Sequence, residues 1–108
     1  MSATPEVIAR YLRAADEKDF QALAACFTED GSVVDEGKTY VGRDAIRGWR
    51  EGTVAQWTYT TTVTGTEQVA GNRYDVAIHL EGDFPGGEVD LTQAFTVSDG
   101  LIGHLVID

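Results

Sequence analysis

Three side chains break into apolar rows of this sequence, and together they could move a proton. Asp35 shares a strand face with Val33 in Ser32-Val33-Val34-Asp35, because side chains alternate along an extended chain. Gln93 falls between Leu91 and Phe95 in an otherwise apolar inward row, and Tyr11 puts a hydroxyl on the apolar stripe of the first helix. A buried amide without a hydrogen bond costs about 1–3 kcal/mol, so such a residue calls for a partner. Polar groups converging from separate elements on an apolar hollow are the usual signature of a binding or active site. Desolvation would make Asp35 a stronger base, able to take a proton α to a carbonyl. Tyr11 and Gln93 would donate to the developing enolate oxygen. Double-bond migration, aldol-type ring closure or dehydration would follow. Two quieter arrangements use the same residues. One is a pocket that binds a small ligand or a dimeric scaffold without chemistry. The other is a small polar core in which Tyr11 and Gln93 satisfy each other while Asp35 bonds to backbone or an arginine.

Other candidate groups carry less. His79 lies between inward Ile78 and Leu80 and should face away from the pocket; His104 precedes Leu105, with Gly103 allowing a bulge. A parity shift of one residue would turn His79 and His104 inward as an acid–base pair of the dehydratase kind. Cys26, the lone cysteine, sits in Leu23-Ala24-Ala25-Cys26-Phe27 and reads as a buried structural thiol. No Cys/His spacing suggests a metal site, and no cofactor motif is present: Gly86-Gly87 is not followed by a helix that could hold a phosphate. Asp35 and Glu36 are strand neighbours pointing to opposite faces, so they are not a carboxylate pair. Asp16, Glu17, Asp19, Glu29 and Asp30 read as solvated helix ends.

The elements that must position these groups follow from periodicity. Thr4-Pro5-Glu6 opens a helix as N-cap, first-turn proline and acid. Val7, Ile8, Tyr11, Leu12 and Ala15 give it one apolar stripe up to Lys18. Asp19 caps a short second helix carrying Phe20, Leu23, Ala24 and Phe27, stopped by Asp30-Gly31. A strand through Asp35, a turn at Glu36-Gly37 and a brief extended piece at Thr39-Tyr40-Val41 come next. Gly42-Arg43-Asp44 opens a third helix with Ile46 and Trp49 inward, expected to be short because Gly48 and Gly52 weaken it.

From Gln56 the period becomes two. Trp57, Tyr59, Thr61 and Val63 share one face, and Thr58, Thr60, Thr62 and Thr64 the other, a surface suited to solvent or a partner sheet. Gly71-Asn72 turns into a strand with Tyr74, Val76, Ile78 and Leu80 inward. A loop at 82–87 leads to Val89, Leu91, Gln93, Phe95 and Val97. Ser98-Asp99-Gly100 then turns into a closing strand from Leu101 to Ile107. Helices followed by hairpin-linked strands are an α+β layout: N-terminal helices packed in the concave face of a curved antiparallel sheet, leaving a cone with an open mouth. The expected substrate-binding lining is Val33, Trp49, Tyr74 and Val76, with Ile78, Leu91, Phe95 and Leu105 across from them.

Composition bounds the partners. The 108 residues suit one domain spanning 1–108, and 43% hydrophobic content suits a packed core. A net charge of −10 disfavours nucleic acid and anionic membranes and favours a small apolar or weakly polar ligand. No run is long enough to span a membrane, and the N-terminus lacks a secretion signal, so a cytoplasmic location is the expectation. Homodimerisation through the sheet is expected as well.

Ala9-Arg10-Tyr11, then Asp19, Phe27 and Asp30, Val33-Val34-Asp35 and Gly42-Arg43-Asp44-Ala45-Ile46 resemble the N-terminal half of ketosteroid isomerase. The chain as a whole resembles the ketosteroid isomerase and SnoaL-like branch of the nuclear transport factor 2-like superfamily, which includes polyketide cyclases. The resemblance implies a cystatin-like cone-shaped roll. It sets Tyr11 on the family's oxyanion tyrosine and Asp35 on its general-base aspartate. With a Ser98-Asp99-Gly100 turn one residue shorter than the family's, Gln93 falls on the protonated aspartic acid. Phe27 stands where the family has a hydroxyl, Glu36 where it has a proline, and a further tyrosine is lost near Trp49-Arg50. These departures point away from steroid isomerisation itself and leave a carboxylate-plus-donors pocket.

Overall fold

A computed structural model describes residues 5–107 and shows three helices against one six-stranded sheet. Helix α1 spans Glu6–Glu17. The expected Thr4 cap lies outside the described residues. Pro5 is the residue before the helix, and its carbonyl accepts from the amides of Ile8 and Ala9 at 3.0 and 3.2 Å. Val7, Ile8, Tyr11 and Ala14 form the buried stripe. Lys18 ends α1 in the left-handed region, at φ 59°. Asp19 then caps α2 (Phe20–Ala25) by accepting from the Ala22 amide at 3.1 Å.

Strand β1 (Phe27–Asp35) begins earlier than the polar run Thr28-Glu29-Asp30-Gly31 suggested. Phe27 leaves the helix because its ring is fully buried against Tyr11, with centroids 5.8 Å apart in an edge arrangement. The Ile102 amide donates to the Cys26 carbonyl at 2.8 Å and draws the chain into the sheet there. A bulge between Phe27 and Ser32 absorbs the polar residues. Gly31 lets that bulge close, since a Cβ would meet the Ile102 and Thr28 carbonyl oxygens at 3.1 Å. Glu36 and Gly37, both with positive φ, make a tight turn into β2 (Lys38–Val41).

Helix α3 (Arg43–Gln56) runs for 14 residues, longer than its glycines implied. Ile46, Trp49 and Arg50 lie buried on one side, with Thr53 a turn further on. Nothing stands within 4 Å of the place a Cβ would take at Gly48 or Gly52. Their cost of about 1 kcal/mol each falls on the outer face, and packing of the inner face outweighs it.

Strands β3 (Tyr59–Ala70), β4 (Arg73–Gly82), β5 (Glu88–Ser98) and β6 (Leu101–Ile107) form the expected antiparallel run. The order is β2-β1-β6-β5-β4-β3. The crossover through α3 starts this run at the far edge, so β6 returns beside β1 and pairs with it in parallel. The sheet is therefore mixed, with this one parallel pairing among antiparallel ones. Ile8, Leu23, Phe27, Val33, Ile46, Val76, Phe95, Ile102 and Leu105 are fully buried between helices and sheet.

Candidate functional site

The core does not fill the whole concave face. Beyond it lies a cavity of about 1000 Å³, bounded by α1, α3, the ends of β1 and β6, and the inner faces of β3 to β5. Tyr11 and Leu12 enter from α1; Trp49, Arg50 and Thr53 from α3; Trp57, Tyr59 and Thr61 from β3 and its approach. Strand alternation explains the last set: Thr58, Thr60 and Thr62 point outward and are exposed. Val63 and Val89, 46% and 39% exposed, stand at the solvent side of the hollow.

Asp35, Tyr11 and Gln93 all line this cavity. Asp35, at the end of β1, is half-buried, and its Oδ2 accepts from the Trp49 indole Nε1 at 2.9 Å. The indole fixes the carboxylate's orientation. Tyr11 is 1% exposed and its hydroxyl has no hydrogen-bond partner. Burial pushes its pKa up to about 12; Arg50 opposes the rise, while Tyr59 and Asp35 add to it. The hydroxyl therefore keeps its proton at neutral pH and is free to donate. Gln93 is 6% exposed, with its Oε1 buried and unpartnered. Tyr11 and Gln93 do not satisfy each other, as a purely structural polar core would require.

Of the residues expected to bind substrate, Trp49, Ile78 and Leu91 line the cavity. Val33, Val76, Phe95 and Leu105 do not: they share the inward face but lie in the solid core. Tyr74 packs against that core, also away from the cavity. Parity sets the face of a side chain and leaves its depth along the cone open. Neither histidine lines the cavity. His79 sits on the outer face, its ring bonded to Asp90 at 2.7 Å and Glu81 at 3.2 Å; the bond to Asp90 first of all holds its pKa above the ordinary value. The His104 Nδ1 lies 2.6 Å from the Ser32 hydroxyl, again away from the hollow. A pair acting on one substrate is thus not formed. Cys26 is buried, and its thiol, pushed up in pKa by burial, donates to the Ala22 carbonyl.

Arg50 is the side chain whose role the sequence reading missed. It is 8% exposed and lies over Trp49 and Tyr59, with its Cζ 5.2 and 6.0 Å from their ring centroids. Its Nη2 donates to the Tyr59 hydroxyl at 2.8 Å. The available signal was helical spacing: Arg50 follows Ile46 by one turn and so falls on the inner face. Among the described residues, no group of three or more His, Cys, Asp or Glu could hold a metal ion, and no helix is long and apolar enough to cross a membrane.

Comparison with known proteins agrees with this architecture. The SnoaL-like domain family matches residues 8–104. No curated protein matches the chain. A candidate polyketide cyclase from Sinorhizobium meliloti superposes with a TM-score of 0.92 at 32% identity, over 97% of this chain and 95% of that one. A protein with a ketosteroid isomerase-like fold from Catenulispora acidiphila, in complex with trimethylamine, gives 0.87 at 25% identity, over 98% and 86%. The Δ5-3-ketosteroid isomerase of a Mycobacterium species gives 0.79 at 19% identity, over 98% and 93%, a likeness of fold.

Proposed function

The chain belongs to the SnoaL-like domain family, and from that membership we propose that its cavity binds a small carbonyl compound and enolises it. Asp35 takes the proton from the carbon α to the carbonyl. The C–H electron pair becomes the C=C bond of the enolate, and the carbonyl π pair moves onto oxygen. The Tyr11 hydroxyl and the Gln93 amide N–H donate to that oxygen, where preorganised donors are worth most. Where a β,γ double bond conjugates with the enolate, reprotonation by Asp35 at the γ carbon gives an isomer; attack of the enolate carbon on a second carbonyl of the same ligand gives a ring, the new alkoxide taking the proton back from Asp35. Ring closure is favoured by the likeness to the S. meliloti cyclase candidate. Trp49 is a positioning residue that holds the carboxylate toward the ligand.

The observation that carries this reading is the Tyr11 hydroxyl, buried, protonated and without a partner, in the same cavity as the Asp35 carboxylate. The test is hydrogen–deuterium exchange of 2-tetralone in D₂O, followed by NMR. Catalysed exchange at the α carbons is expected with the wild type. Asp35→Asn should lower it by roughly 10²–10⁴-fold while leaving 2-tetralone affinity within a few-fold. Equal exchange in both proteins removes Asp35 as the base. Binding without exchange in either protein leaves a non-catalytic binding protein. The outer threonine face of β3 is the surface proposed for homodimerisation, checked by light scattering at high micromolar concentration.

A further inference from the structure

Arg50 is a cation held inside an apolar hollow without a counter-ion. It is 8% exposed, and among the described residues no carboxylate lies within ion-pairing distance of it. Its hydrogen bond goes to the Tyr59 hydroxyl, and its Nε is buried without any partner. Three carboxylates line the same cavity: Asp35 bonds to Trp49 instead, and neither Asp16 nor Glu36 forms an ion pair with Arg50. Stacking over Trp49 and Tyr59 holds the guanidinium plane in place. A planar fork kept in one orientation with donors unspent is suited to a carboxylate, which accepts two parallel N–H bonds.

We propose that Arg50 is the specificity-determining residue of the cavity and that the natural ligand carries a carboxylate, seated on its guanidinium. This rests on the proposed carbonyl site and names its substrate class: an oxo acid, with the acid group at Arg50 and the carbonyl at Tyr11 and Gln93. The composition alone argued for an uncharged ligand, since a chain of net charge −10 repels anions. Arg50 reverses that field locally, where desolvation makes a single charge count most.

The test compares probes that share one body and differ in the head group: 2-naphthylacetate, 2-naphthylacetamide and (2-naphthylmethyl)trimethylammonium, by calorimetry at fixed ionic strength. Wild type should bind the carboxylate at least about ten-fold tighter than the amide, with the ammonium weakest. Arg50→Gln should erase the preference for the acid while keeping the amide affinity. Arg50→Lys should retain part of it, since charge remains and the fork is lost. The wild-type ranking needs no variant, so a poorly folding substitution leaves the test intact. Equal affinity for acid and amide, or an acid preference that persists in Arg50→Gln, overturns the assignment while leaving the carbonyl site standing. Failure of all three probes, together with no binding of 2-tetralone, overturns the carbonyl site itself and the present inference with it.

Discussion

The concave face of the sheet has two halves built from the same inward rows. In one, Val33, Val76, Phe95 and Leu105 are fully buried in the core to which all three helices contribute, and Phe95 meets the Tyr11 ring edge-on at 5.4 Å. In the other, Ile78, Leu91 and Tyr59 border the hollow: Ile78 is shared with the edge of the core, while Leu91 and Tyr59 are only half-buried. Alternation is continuous across the boundary, so the strands do not decide which half is solid; helix coverage does. Tyr11 and Gln93 stand at that boundary, with apolar neighbours in the core and with the Tyr11 hydroxyl and the Gln93 Oε1 unpartnered. The solid half holds the donors rigid, and the hollow half leaves room for what they would bind.

The contrast is broken most severely by emptying the solid half. Phe95→Ala should lower unfolding free energy by about 3–5 kcal/mol in urea titration, whereas Leu91→Ala in the hollow half should cost at most about 2 kcal/mol. Similar losses at both positions would mean that the two halves are packed alike. Tyr11→Phe reads the boundary itself. It should slow 2-tetralone exchange by roughly 10²–10³-fold without lowering stability, because the hydroxyl it removes makes no bond in the protein. A clear drop in melting temperature would show that the hydroxyl is structural.

Gly82→Ala probes the hollow half's frame. A Cβ there would stand 2.3 Å from the Thr58 carbonyl oxygen and 2.5 Å from the Tyr59 Cβ. The start of β3 must shift, at about 1–3 kcal/mol, and binding of 2-tetralone should weaken along with stability.

The outer face gives the smallest effect and concerns pH. The bond to Asp90 raises the His79 pKa above its ordinary value of about 6.5. Its contribution to stability is therefore full below that ordinary value and fades as pH rises through the higher folded value. Asp90→Asn should lower the His79 pKa, seen by NMR titration of the ring, and leave exchange of 2-tetralone unchanged. A change in exchange would place His79 in communication with the cavity.

Much of this was legible in the sequence. The inward rows, the turns at Glu36-Gly37 and Asp99-Gly100, and the Asp19 cap depend on local spacing, and local spacing is what a sequence displays. So was the anomaly of polar residues at 11, 35 and 93 on apolar faces, and the three do line one cavity. What escaped was non-local. The start of β1 at Phe27 is dictated by a bond from Ile102 and by packing on Tyr11, partners distant in the chain. The parallel β1–β6 pairing follows from strand order, which periodicity does not encode. The length of α3 depends on the packing of Ile46, Trp49 and Arg50. Arg50 drew no reading of its own, since its burial exists only once β3 brings Tyr59 against it.

A crystal structure with 2-naphthol, whose hydroxyl mimics an enolate oxygen on a planar body, decides whether these groups act on one ligand. The naphthol oxygen should lie within hydrogen-bond distance of both the Tyr11 hydroxyl and the Gln93 amide, with the Asp35 carboxylate beside the adjacent ring carbon. Naphthol bound with its oxygen turned to solvent, or with Asp35 out of reach of that carbon, would contradict enolisation at this site.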